Sequence, residues 1–217
     1  MTFEDRIAML DKAVAKSEEP VEIMVIEDHS GSMGNLAKSA LESFNKFVGE
    51  QKEVKGAANL TQIGFSNNVW VTQRGPIKTA QIATEYKILE TTALNDAIGF
   101  GLSWLLNRKP DKAIIAIITD GMENASRLYS QADAKTLIEK AEANGWKVVY
   151  LAANQDAVAV GRSLGISGQT VSNWNANDPA SYKKGLANFS VASTAYRSNQ
   201  RFAMSANVND GVKTDGT

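Results

Sequence analysis

The run Val21-Glu22-Ile23-Met24-Val25-Ile26 is apolar almost throughout and stops abruptly at Glu27-Asp28-His29-Ser30-Gly31-Ser32-Met33-Gly34. So short and uniform a run suits a strand covered on both faces, as in a parallel sheet. The pattern recurs in the isoleucine-rich stretch from Lys112 to Thr119, which ends in Asp120-Gly121, and in Lys147 to Ala153, which ends in Asn154-Gln155-Asp156. Helical spacing separates the runs. Leu36, Ala40, Leu41, Phe44, Phe47 and Val48 predict a helix from Asn35 that ends at Gly49. Leu94, Ile98, Leu102 and Leu105 predict another, and Thr136 to Ala143 a third, with Gly145 as its C-terminal cap. Strands alternating with helices specify a doubly wound α/β sheet, whose ligand sites form at the carboxyl ends of the strands.

Leu60 to Ser66 reads as a further strand, and the turn residues Asn67-Asn68 lead into Val69-Trp70-Val71 as a hairpin. The sheet is therefore expected to be mostly parallel, with one antiparallel edge strand and helices on both faces. Phe3, Ile7, Leu10 and Val14 form a helical stripe before Glu18-Glu19-Pro20. That first helix either covers the core or docks a partner. Near the other end, Ala157 to Leu164 predicts a short helix closed by Gly165, and Thr170 to Trp174 an edge strand. Asp178-Pro179 then opens a helix running through Tyr196. Residues 1–197 are expected to form one domain and residues 198–217, rich in Asn, Ser, Gly, Asp and Thr, a flexible tail.

Lysine plus arginine (23) almost balances aspartate plus glutamate (24), so charge gives no case for nucleic acid or an anionic membrane. The absence of cysteine removes disulfides, thiolate metal sites and cysteine nucleophiles, and fits a reducing compartment. The acidic start, Met1-Thr2-Phe3-Glu4-Asp5-Arg6, is unlike a secretory leader, and Ala113 to Ile118 is far shorter than the roughly 20 residues needed to span a bilayer. A cytoplasmic protein is expected.

The chemistry lies where the strands end. Asp28-x-Ser30-x-Ser32 repeats oxygen-bearing side chains at alternate positions among glycines, a donor set suited to a hard divalent cation such as magnesium. Asp120 is a second carboxylate at a strand end, and Thr92, read locally, suits a helix cap. Other chemistries fit poorly. A phosphatase of the haloacid-dehalogenase type needs a second aspartate two positions after the nucleophile, where this chain has Ser30. No Gly-x-x-x-x-Gly-Lys-Ser/Thr loop occurs, and Ser32 lacks the leading glycine of a nucleophile elbow. His29, the only histidine, has no visible triad. Glu27 either bonds behind the ligand loop or lies exposed, and Met122-Glu123-Asn124 form either a partner-facing rim or a plain turn.

Taken together and in order, Asp28-His29-Ser30-Gly31-Ser32-Met33-Gly34, Thr92-Ala93-Leu94-Asn95-Asp96-Ala97 and Ile118-Thr119-Asp120-Gly121 resemble the loops of the metal-ion-dependent adhesion site of von Willebrand factor A domains. The resemblance covers about Val21 to Ala153. It implies that Ser30, Ser32 and Thr92 surround a divalent cation, with Asp28 and Asp120 binding directly or through water, and with Thr91 as the neighbour that takes over if the alignment slips by one. Magnesium is the implied ion, with manganese and calcium as alternatives. The implied partner is a protein offering an Asp or Glu carboxylate to the metal. The end of the chain resembles small stand-alone bacterial or phage members, which implies a non-enzymatic intracellular scaffold or recruitment subunit. The alternatives are a structural protein, such as one of a phage particle, in which the metal only stabilises, and the disfavoured magnesium-dependent phosphatase.

Overall fold

The computed structural model describes residues 19–153, 157–166 and 170–204. The expected first helix, the polar end Asn154-Gln155-Asp156 and most of the expected tail lie outside the described residues. Six strands form one sheet: β1 (Val21–Asp28), β2 (Ala58–Phe65), β3 (Val69–Pro76), β4 (Ala113–Thr119), β5 (Lys147–Ala153) and β6 (Val171–Trp174). Their spatial order is β3-β2-β1-β4-β5-β6, and every neighbouring pair is parallel except β2 with β3. The mostly parallel sheet with one antiparallel edge strand is thus observed. Among the described residues five α-helices cover it: α1 (Ala37–Glu53), α2 (Leu94–Arg108), α3 (Gln131–Ala143), α4 (Ala157–Ser163) and α5 (Pro179–Arg197). Among the described residues no helix is long and apolar enough to cross a membrane.

Strand side chains alternate between two cores, which explains why the central strands are apolar throughout. Met24 and Ile26 of β1, with Ile115 and Ile117 of β4, pack against Leu94, Ile98 and Leu102 of α2 and Ile138 of α3. Ile23 and Val25, with Ile114 and Ile118, pack against Phe44 and Phe47 of α1 and Leu186 and Phe189 of α5. Leaving each central strand dry on both sides puts its polar residues at its ends.

Several boundaries differ from the sequence reading, three of them at helix ends. Residues Gly31–Leu36 form a 3₁₀ segment, and α1 begins only at Ala37. It then passes through Gly49 to Glu53, because buried Phe47, Val48 and Gln51 anchor its last turns beyond the local cost of a glycine, about 1 kcal/mol. Helix α3 starts at Gln131 rather than Thr136. Ser130 accepts from the Asp133 N–H, and the Asp133 carboxylate accepts from the Ser130 N–H, a reciprocal cap that satisfies two orphan donors. Gly145 follows α3 at φ 80°, where its missing side chain permits the left-handed turn. After α5, Phe202 lies edge-on to Tyr196 at 6.2 Å, at the start of the expected tail.

The two helices of the second face share a polar seam. Gln51 Nε2 donates to the Ser190 carbonyl and to Thr194 Oγ1, each at 3.0 Å. Arg197, only 7% exposed, donates from Nη1 to the Gln51 carbonyl (2.6 Å) and from Nη2 to the carbonyls of Val54 (3.2 Å) and Gly56 (3.0 Å). Its guanidinium therefore caps the carbonyls that α1 leaves unpaired at its C-terminus. Replacing Arg197 by Met should cost roughly 2–4 kcal/mol, since it strands buried acceptors while preserving most of the volume. Urea unfolding should show this as a lower midpoint with an unchanged slope.

Candidate metal site

Parallel pairing of β1 with β4 places Glu27 level with Ile118, so Asp28 and Thr119 end their strands side by side. Thr119 Oγ1 donates to Asp28 Oδ2 at 2.6 Å, and the Ser30 N–H donates to Asp28 Oδ1 at 2.7 Å. Both carboxylate oxygens are therefore held in place. The turn that follows puts Ser30 Oγ 3.0 Å from Ser32 Oγ, and Ser32 Oγ donates to Asp120 Oδ1 at 2.5 Å. Four of the five expected residues are thus linked.

Thr92 joins from the start of α2. Its N–H donates to Asn124 Oδ1 (2.9 Å), its carbonyl accepts from the Asn124 N–H (3.0 Å), and the next residue, Ala93, donates to the Ser66 carbonyl (2.7 Å). The N-cap of α2 is Ala93, with no side-chain cap, so the Thr92 hydroxyl is not spent on capping as its local sequence suggests. It points elsewhere. A side-chain carbon built on Gly121 would lie 2.9 Å from Thr92 Oγ1 and 3.5 Å from both Asp28 Oδ2 and Ser32 Oγ. Three oxygens from two loops, Asp28 and Ser32 on the first and Thr92 on the second, therefore face one small hollow that Gly121 of the third loop leaves open.

Charge in this hollow is unfavourable as it stands. Burial raises the Asp28 carboxyl above its ordinary range, against the bonds from Thr119 and Ser30. Asp120 is raised to about 6, chiefly by burial and further by the nearby charge of Asp28, while the Ser32 bond opposes this. Among the described residues neither carboxylate pairs with a lysine or arginine. Glu27 is buried on the opposite face of β1 and raised to about 7 by desolvation, despite bonds from Gln62 Nε2 and Tyr182 Oη, each at 3.3 Å. This rules out the exposed alternative for Glu27. Two carboxylates and three hydroxyls brought together in this way are a donor set that fits a hard divalent ion, with the hydroxyls adding oxygens but no charge. Among the described residues no group of three or more His, Cys, Asp or Glu offers a metal site of charged ligands alone.

Sequence reasoning missed how the hollow is braced. Residues 80–93 run beside the ligand loop, where Tyr86 stacks on His29 at 4.2 Å between ring centres and its hydroxyl donates to the Asp28 carbonyl. His29 Nδ1 lies 2.7 Å from the Lys87 carbonyl, which fixes the proton on Nδ1, and burial holds the imidazole neutral by lowering its pKa. His29 is thus a buried strut. Glu123 accepts from the N–H groups of Asn95, Ala125 and Ser126 (2.7–2.9 Å), and Asp96 accepts from those of Arg127, Leu128 and Tyr129 (2.8–2.9 Å). Glu123 and Asn124 therefore fasten the third loop to α2 and do not form a free rim, whereas Met122 is 77% exposed. The signal for these fasteners was weak: acidic or amide side chains in loops, with no period to place their partners.

No protein-family model matches the sequence, and the search of curated proteins finds no match. Solved structures do match. The PilB minor pilin from Streptococcus sanguinis superposes with a TM-score of 0.63 at 12% identity, covering 81% of this chain and 61% of that one. A von Willebrand factor type A protein from Catenulispora acidiphila gives 0.59 at 16% identity, covering 82% and 43%. The manganese-loaded TRAP protein from Plasmodium vivax gives 0.54 at 16% identity, covering 73% and 70%. The chain spans about three fifths of the length of the pilin and less than half of the Catenulispora protein. Likeness at these identities is one of architecture, and with its strand order and single antiparallel edge this chain has the fold of a von Willebrand factor A domain.

Proposed function

We propose that this chain is a divalent-cation-dependent protein-binding module in which Asp28, Ser30, Ser32, Thr92 and Asp120 hold the ion, magnesium by preference. The observation that carries this reading is the hollow above Gly121, where the oxygens of Asp28, Ser32 and Thr92 converge, Asp120 joins through Ser32, and a methyl group would collide with Thr92. The manganese of the TRAP protein supports it through likeness of fold. When bound, the cation would supply an electrophilic position for an Asp or Glu carboxylate of a partner protein.

The chain's own residues are arranged for that role. Thr119 and the Ser30 N–H hold Asp28 in one rotamer, so little side-chain freedom remains to be lost on binding. Asp28 and Asp120 balance a divalent charge between them, and Glu27, whose carboxyl burial raises to about 7, lies on the opposite face of β1. Exposed Met122, Ile88 and Leu89 belong to the segments that border the ligand loops and offer apolar contacts beside the carboxylate. The intracellular scaffold reading rests on the likeness of the chain's end to small stand-alone members and on its acidic start, while one structural likeness is to a minor pilin; carboxylate-dependent protein binding fits either setting and is the function proposed.

Saturating magnesium at a hundredfold excess over Kd should stabilise the protein by about 2.7 kcal/mol, a rise in Tm of roughly 5–10 °C for a chain of this size. Asp28→Ala should abolish the rise, and so should Gly121→Ala, whose methyl fills the hollow while removing no ligand. If Tm ignores magnesium and manganese in the wild type, the metal assignment is wrong.

Ligand carboxylates must be charged to bind, and Asp120 titrates near 6 without metal. The magnesium-induced rise in Tm should therefore shrink as pH falls from neutral through 6. In the metal-free protein the sign is opposite: an acid raised on folding binds more protons folded than unfolded, so stability falls as pH rises from its unfolded value toward 6, and Asp120→Asn should flatten that slope.

Partner chemistry is testable with a displayed peptide library selected on the immobilised protein in magnesium and eluted with chelator. Enriched peptides should share an Asp or Glu whose amide counterpart does not bind. Retention in chelator would overturn metal bridging, and a magnesium response in Tm with no chelator-sensitive peptide would leave the ion a purely structural role.

A further inference from the structure

We propose that the recess between α2 and the edge strand β3 is a second binding site, for a small aromatic carboxylate. Phe100 and Trp104 of α2, Thr61 and Ile63 of β2, and Val71 and Arg74 of β3 line a cavity of about 290 Å³. The opening exists because β3 is the outermost strand, which leaves Val71 47% and Phe100 44% exposed. Its walls are apolar, but among the described residues one polar group within it has no hydrogen-bond partner and another has no ion pair.

The first is Thr61, at the base. It is 3% exposed, and its hydroxyl finds no hydrogen-bond partner among the described residues. Buried polar groups are nearly always paired, so an orphan lining a cavity points to something that enters it. The second is Arg74. Its guanidinium lies 4.5 Å from the centre of the Trp104 ring, and among the described residues it forms no ion pair. Arg108, also beside Trp104, is already engaged by Glu22 at 3.6 Å.

The backbone places Arg74 there through a bulge. Ile63 pairs with Val71 but Gln62 pairs with Gln73, which leaves Thr72 as the extra residue and brings Arg74 opposite Thr61. In unbroken register Gln73 would face Thr61, and Arg74 would fall on the other side of the sheet. Bulges at sheet edges re-aim side chains in this way. The combination of a flat apolar wall, a cation at the lip and an unpaired hydroxyl at the base is complementary to an aromatic ring carrying a carboxylate and a second polar atom. The volume lies just below the range of drug-sized pockets and suits a ligand of roughly a dozen non-hydrogen atoms.

Indole-3-acetate and its uncharged analogue indole-3-acetamide serve as probes in an amide-proton NMR titration of the full chain. Saturable shifts centred on Thr61, Val71, Phe100 and Trp104 are expected with the acid. Arg74→Gln should weaken the acid about tenfold, the loss of one charge-assisted contact, while leaving the amide unchanged. Thr61→Val should weaken both, and spectra of each variant without ligand report whether the fold is kept. The proposal is overturned by absent or non-saturable shifts, by shifts centred elsewhere, or by equal acid affinity in wild type and Arg74→Gln. Nuclear Overhauser contacts from Phe3, Ile7 or Leu10 to Trp104 in the ligand-free protein would also overturn it, by placing the chain's own first residues in the recess.

Discussion

Two parallel neighbours in a sheet end at the same edge, and in this chain that constraint brings the last residues of β1 and β4 into contact. Thr119 and Asp28 can share a hydrogen bond only because Glu27 and Ile118 are in register one residue earlier. A slip by one residue would turn Met24 and Ile26 toward the wrong core and move Asp28 away from Asp120. The hydrophobic pattern that selects the fold therefore also assembles the carboxylate pair. Core and site do not compete for the same residues, because the apolar run stops where the polar loop begins.

The assembled hollow carries an electrostatic cost. Asp28 and Asp120 are desolvated near one another with no basic partner among the described residues, and hydroxyls donate where a salt bridge would otherwise be expected. A sequence selected for stability alone would place an apolar residue or an Arg pair at such a position. Retaining two acids there is intelligible when a cation offsets their charge. The bracing follows the same logic. Tyr86, His29, Glu123 and Asp96 spend their polar groups on loop backbone, so the loops that carry the site oxygens are held in position by the protein's own side chains.

What could be read from the sequence divides along range. The strands were legible because an apolar run such as Ile114 to Ile118 fixes its own burial, and the helices because Leu94, Ile98, Leu102 and Leu105 fix a face. The candidate site residues were nameable because Asp28, Ser30 and Ser32 repeat oxygens on a glycine-bearing loop, but their meeting with Thr92 and Asp120 came only from family resemblance, since spacing carries no distance between loops. Thr92 shows the limit well. Its local sequence suggests a cap, and only the Asn124 clamp and the Ser66 contact of the next residue turn its hydroxyl to the hollow. The orientation of Glu27 was within reach, since alternation along β1 sets it opposite Asp28. Tyr86 was not, because residues 80–93 have neither period nor turn signal.

Helix α2 shows how one element serves several demands through its small residues. A side-chain carbon on Gly101 would sit 2.9 Å from Met24 Sδ, 3.1 Å from Ile63 Cδ1 and 3.2 Å from Ile26 Cδ1, and one on Gly99 would enter the Tyr129 ring at 2.2 Å. The helix can approach β1 and β2 this closely only because Gly101 lacks a side chain, and Tyr129 can lie against its other side only because Gly99 lacks one. That approach fixes the depth at which Thr92 stands at its N-terminus, and it leaves bulky Phe100 and Trp104 on the outer side, over the edge strand. Asp96, in the first turn, holds the backbone of Arg127, Leu128 and Tyr129, and Tyr129 in turn lies against Gly99. Displacement of α2 would therefore move Thr92, the Asp120 loop and the wall of the outer recess together, since all are fastened to the same rigid helix.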